Sequence, residues 1–107
     1  MLRRLQNKQC KVKREGEWRV EETKSLVPGD ILQLEMGDVV PADSRVLELR
    51  SLEFSVDESV LTGEPQEVSK EKTPSTGDEL SEQTSMVFMG TSVEYGTAEF
   101  VVCRTGA

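Results

Sequence analysis

The chain contains no histidine. That excludes histidine general-base chemistry and histidine-ligated metal sites within it. Only five aromatic side chains are present, one Trp, one Tyr and three Phe, so any core must rest mainly on aliphatic residues. Long apolar runs are absent, and nothing approaches the roughly 20 residues of a membrane span. The two cysteines, Cys10 and Cys103, lie near opposite ends and form no C-x-x-C pair. With no secretory leader read at the start, both are expected to be reduced, cytosolic and mostly core. Basic residues are scarce after position 14. Arg3, Arg4, Lys8, Lys11, Lys13 and Arg14 stand in a start without acids, and the formal net charge of the whole is −7. The acidic bulk argues against nucleic acid. The basic start fits either an anionic membrane surface or an ordinary solvated terminus.

What remains suits one small domain of 107 residues. Residues 1–9 read as a linker or the tail of a helix. Residues 10–14 and 17–22 read as strands joined at Glu15-Gly16, with Trp18 and Val20 on one face and Arg19 and Glu21 on the other. Val27-Pro28-Gly29-Asp30 is a turn. Leu32, Leu34 and Met36 alternate with Gln33 and Glu35. Gly37-Asp38 turns again, and a strand over 44–49 places Leu47 and Leu49 together. Short extended pieces follow at 53–58, 86–89 and 97–103, the last with Ala98, Phe100 and Val102 on one side. No helical period is read after residue 9. Many short alternating strands separated by Gly or Pro turns predict an all-β fold, a sandwich, barrel or distorted jelly roll, over residues 10–107. Residues 69–85, with Leu80 their sole large apolar residue, read as a long polar loop. Its expected role is a plain solvent loop, with contact to partner domains or a regulator as the alternative.

One stretch carries candidate chemistry: Thr62-Gly63-Glu64-Pro65. Pro65 drives Glu64 toward extended angles. Gly63 frees the turn and permits close approach, and the Thr62 hydroxyl can tie the turn locally. The product is one carboxylate on a stiff tip, able to orient water and take its proton. On these residues alone the stretch reads first as a tight surface turn. Asp30, Asp38 and Asp43 are expected to cap turns. The D-x-[DN]-x-[DN]-G calcium spacing is absent, and no metal site is expected.

Asp57-Glu58-Ser59-Val60-Leu61-Thr62-Gly63-Glu64-Pro65 resembles the actuator-domain signature of P-type cation-transporting ATPases. Three further blocks resemble the family in family order. They are Leu26-Val27-Pro28-Gly29-Asp30, Gly37-Asp38-Val39-Val40-Pro41-Ala42-Asp43, and Phe88-Met89-Gly90-Thr91-Ser92-Val93 with Gly96. The resemblance implies a β jelly roll on the cytosolic side of a membrane pump, between two transmembrane helices. It also implies that Glu64 positions water against an aspartyl phosphate on a separate phosphorylation domain. Gly63 would permit the approach and Thr62 would hold the loop. Asp57, Glu58, Ser59 and Pro65 would support it, bracing being preferred over direct contact with the neighbouring domain. The family's D-K-T-G-T is missing, since Glu71-Lys72-Thr73 does not match it, and so is a G-x-x-x-x-G-K-[ST] loop. ATP and Mg²⁺ therefore belong to the nucleotide-binding and phosphorylation domains of a parent pump, and the isolated piece is expected to be inactive. The Pro41-Ala42-Asp43 and Phe88–Val93 blocks resemble the type II calcium-like and type III branches. Calcium is favoured, and magnesium, proton and sodium stay open. The rival expectation is a free-standing β-sandwich binding module. A self-sufficient hydrolase lacks an evident nucleophile and base.

Overall fold

The computed structural model describes residues 9–72 and 84–105. Arg3, Arg4 and Lys8 of the basic start, residues 1–8 of the expected helix tail and the centre of the polar loop lie outside the described residues, while Gln9 already belongs to the first strand. All paired strands are antiparallel and form two sheets. The larger contains β1 (Gln9–Arg14), β2 (Glu17–Glu22), β3 (Ile31–Glu35), β4 (Asp43–Leu49), β7 (Met86–Val87) and β9 (Thr97–Arg104), in the order β2-β1-β3-β9-β4-β7. The smaller contains β5 (Ser55–Asp57), β6 (Glu67–Ser69) and β8 (Ser92–Tyr95), in the order β6-β5-β8. The all-β expectation holds.

Period-2 patterning makes the core. Val12 pairs with Leu32, Leu32 with Phe100, and Phe100 with Val46. That row crosses four strands, and all four side chains are buried. The neighbouring row on the opposite face is polar: Lys11, Gln33, Glu99 and Glu48. Phe54, at the entry to β5, meets Phe100 with ring centroids 5.3 Å apart and planes tilted by 58°. This contact joins the sheets through the core. The 37–40 segment, between β3 and β4, ties the larger sheet to β8 at the edge of the smaller one. Gly37 donates to the Val93 carbonyl, Val93 to that of Asp38, and Val40 to that of Thr91.

The turns follow their residues. Glu15 and Gly16 both have positive φ, 54° and 78°, as a two-residue hairpin with the right twist requires. The Asp30 carboxylate accepts the Val27 N–H at 3.0 Å, and that of Asp38 accepts the Glu35 N–H at 2.9 Å. Each thus holds its own turn. Asp43 instead accepts the N–H of distant Met89 and pairs with Arg104.

Several expectations are corrected. Leu47 and Leu49 do not share a buried face, because the β4–β9 register shifts between Val46 and Glu48. Ser44 and Val46 are the buried residues of β4, Leu47 is exposed, and Leu49 packs at the core margin. Met36 falls beyond the end of β3 and is exposed. Trp18 and Val20 do share a face, but it is solvent-facing: their β1 partners are Lys13 and Lys11, and the Lys13 ammonium lies 5.9 Å from the Trp18 ring centroid. Both cysteines are free, yet neither is a core residue: Cys10 is half-buried and Cys103 exposed. The polar loop starts later than read, since Ser69 closes β6 and Lys70 is buried, and at its far end Ser85 is buried too. Helical structure also exists after residue 9, as a 3-10 turn at Thr23–Ser25 and the single turn α1 (Ser59–Thr62).

Candidate functional site

The Thr62–Pro65 tip crowns the β5–β6 hairpin. Asp57 pairs with Glu67, Val56 with Val68 and Ser55 with Ser69, so the intervening residues must reverse the chain. They do so by one helical turn rather than a plain β-turn. Asp57 Oδ1 accepts the Ser59 N–H at 2.8 Å, capping the turn from two residues upstream. This bond, with a further one from the Ser59 side chain, holds the Asp57 carboxyl below the usual aspartate range. The Glu58 carbonyl accepts from Leu61 N at 2.9 Å and Thr62 N at 3.3 Å, and Gly63 N donates to Ser59 O at 2.7 Å.

Gly63 ends the turn in the left-handed region, at φ 81° and ψ 1°. That conformation penalises a β-carbon. The space around Gly63 is open, so the backbone angle and not crowding requires glycine here. Beyond it, Thr62 clamps Glu64 from both sides. The Glu64 N–H donates to Thr62 Oγ1 at 3.2 Å, and the Thr62 hydroxyl donates to the Glu64 carbonyl at 3.1 Å. At the base, Glu58 N donates to the Gln66 carbonyl at 2.9 Å. The backbone of Glu64 is therefore held while its carboxylate projects. Residues 60–67 are all exposed, and among the described residues the Glu64 carboxylate has no hydrogen bond or ion pair. Val60 and Leu61 stand beside it, 66% and 53% exposed.

Thr62, Gly63, Glu64, Pro65, Asp57, Glu58 and Ser59 are thus all brought into one hairpin tip. One residue of the assembly escapes sequence reasoning. Lys70 lies at the far end of β6, with its side chain 1% exposed and its Nζ 2.7 Å from Glu58 Oε2. Glu58 Oε2 is buried, and this ammonium is its compensation. The Lys70 Nζ also lies 5.6 Å from the Phe88 ring centroid. Only the strand pairing reveals this placement: Val56 pairs with Val68, and stepping by two from each reaches Glu58 and Lys70 on the same face. Glu67 contributes at the same hairpin, its Oε2 accepting the Ser55 hydroxyl at 2.6 Å.

Among the described residues, no three of Cys, Asp and Glu are grouped to hold a metal ion. No helix among them is long and apolar enough to cross a membrane.

Fold and site together define a class: an antiparallel two-sheet domain that presents a preshaped, carboxylate-bearing loop at one end. The family model of the P-type ATPase actuator domain matches residues 4–107, and the chain belongs to that family. Its relatives include the endoplasmic reticulum calcium ATPase srcA of Aspergillus fumigatus, 46% identical over 99 residues, which covers 90% of this chain and 10% of the relative. The human calcium-transporting ATPase type 2C member 2 is 42% identical over 106 residues, covering 98% of this chain and 11% of the relative. Among solved structures, a crystal structure of a zinc-transporting PIB-type ATPase superposes with a TM-score of 0.69 at 28% identity, covering 92% of this chain and 14% of that one. The chain thus spans about a tenth of the length of the curated relatives it matches.

Proposed function

We propose that this actuator domain serves an ATP-driven cation pump by presenting Glu64 to an aspartyl phosphate carried on a separate phosphorylation domain. There Glu64 orients a water molecule and takes its proton. The water oxygen bonds to phosphorus, the bond from phosphorus to the aspartyl oxygen breaks, and the aspartate leaves as a carboxylate. Gly63 leaves the approach uncluttered, and Thr62 fixes the Glu64 backbone so that the carboxylate arrives oriented. The observation that carries the reading is the contrast within one residue: a backbone clamped by Thr62 and a carboxylate free at an exposed tip.

The partners in this reading are the phosphorylation and nucleotide-binding domains and the flanking transmembrane helices of one parent chain, with this domain on the cytosolic face. ATP and Mg²⁺ act on those other domains, and the isolated domain is inactive. Calcium is the favoured ion, supported by the names of the fungal and human relatives; ion choice itself belongs to membrane helices outside this chain. The test is Glu64→Ala in the parent pump, following the decay of the phosphoenzyme. Slowing by about 100-fold is expected for loss of a positioned base. Decay at the parent rate would instead favour a binding module with an ordinary turn. The parent reading frame adds a cheap check: membrane spans on both sides and a downstream D-K-T-G-T.

A further inference from the structure

Alternation along the smaller sheet places two opposite charges where apolar side chains belong. Phe54, Val56 and Glu58 step along one face of β5 and its extensions, and Val68 and Lys70 along the same face of β6. Phe54 and Val56 are fully buried, so this is the core face. Glu58 and Lys70 continue it, with side chains 14% and 1% exposed, and meet at 2.7 Å. A buried ion pair adds little stability by itself, because desolvating both charges offsets most of their attraction. An apolar pair would hold the sheets as well.

The location suggests what the pair does. The Glu58 backbone is the pivot of the loop: its N–H meets Gln66, and its carbonyl takes the N–H groups of Leu61 and Thr62. Thr62 in turn clamps Glu64. Lys70 is itself pinned, its backbone N–H donating to the Phe54 carbonyl at 2.8 Å. A chain of fixed contacts therefore runs from the sheet through Lys70, Glu58 and Thr62 to Glu64.

We infer that Lys70 is a positioning residue for the loop. Its ammonium holds Glu58, and through Glu58 it sets where the Glu64 carboxylate arrives. The inference rests on the role proposed above for Glu64. An apolar substitute would preserve the packing but leave the pivot free to shift, and in-line attack is sensitive to shifts of about 1 Å.

The experiment uses the parent pump, phosphorylated from labelled ATP, with formation and decay of the phosphoenzyme measured separately. Lys70→Met and the paired variant Glu58→Leu/Lys70→Met should form phosphoenzyme to the parent level, and it should decay about tenfold more slowly. Adding Lys70→Met to Glu64→Ala should slow decay no further than Glu64→Ala alone, because both changes remove the same function. Parent-rate decay in the paired variant, or full multiplication of the two effects, would overturn the inference. Loss of phosphoenzyme formation in both Lys70 variants would assign the pair to folding and overturn it equally. The two readings separate cleanly. Parent-rate decay in Glu64→Ala defeats the role of Glu64 itself, whereas a slow Glu64→Ala beside a fast paired variant defeats only the role of Lys70.

Discussion

Three neighbouring residues at the tip divide the work between shape and chemistry. Gly63 supplies a left-handed backbone, Thr62 two short-range hydrogen bonds, and Glu64 the projecting group. Their substitutions should therefore differ in kind. Gly63→Ala meets open space but must adopt φ near 81°, at a cost of about 1–2 kcal/mol. Chemical denaturation should show that loss, and phosphoenzyme decay should slow as the tip rearranges. Thr62→Ala removes both clamps from an exposed site, so stability should fall by only about 0.5–1 kcal/mol. Its larger effect should be on decay. At this scale the sequence was legible where one residue type carries one meaning. Gly63, Pro65 and the Thr62 hydroxyl announced a tied turn. Lys70 was not legible, because lysine in a polar stretch ordinarily means solvent, and only strand pairing reveals that it faces the core.

At the scale of elements, alternation decided most of what could be read. β9 alternates strictly, and Ala98, Phe100 and Val102 are buried as expected. β4 breaks the rule after Val46: Leu47 points outward in step with buried Ser44 and Val46, and the register shift between Val46 and Glu48 then turns Leu49 toward the core. Nothing in the linear pattern marks that shift; it becomes visible only against β9. α1 went unread for a related reason. One helical turn is too short to show a period, and Asp57 caps it from outside. The turn between β8 and β9 makes a sharper prediction. Gly96 has φ 96°, and a β-carbon there would stand 2.2 Å from the Glu53 carbonyl oxygen. Gly96→Ala should thus cost at least about 2 kcal/mol, clearly more than Gly63→Ala, as read by a lower Tm. Equal effects would mean that the Ser51–Phe54 segment yields easily.

At the scale of the molecule, the shared core and the contact of buried Asp30 with Arg14 govern how stability responds to change. Phe100 is fully buried and touches both sheets through Phe54, so Phe100→Ala should cost about 3–5 kcal/mol and abolish cooperative unfolding at moderate temperature. Acid should weaken the fold through Asp30. Arg14 holds it in a two-pronged contact, Nη2 to Oδ2 at 2.7 Å and Nε to Oδ1 at 3.1 Å, and this keeps the Asp30 carboxyl below its ordinary value of 3.8. A carboxylate with a lowered folded pKa contributes fully above its unfolded pKa and loses that contribution as pH falls through the folded one. Stability should therefore be level in this respect above about pH 5 and decline below about pH 4. Asp30→Asn should be less stable at neutral pH and show a shallower acid decline in denaturant titrations. The family relationship extends this reasoning beyond the chain, because the domain is about one tenth of its relatives' length and the role proposed for its exposed tip needs a second domain. The central claim is that Glu64 completes an active site whose other half lies elsewhere. It is tested most directly by the phosphoenzyme lifetime of the parent pump carrying Glu64→Ala. Normal phosphorylation followed by decay slowed about 100-fold is the predicted result; normal phosphorylation followed by decay at the parent rate would contradict it.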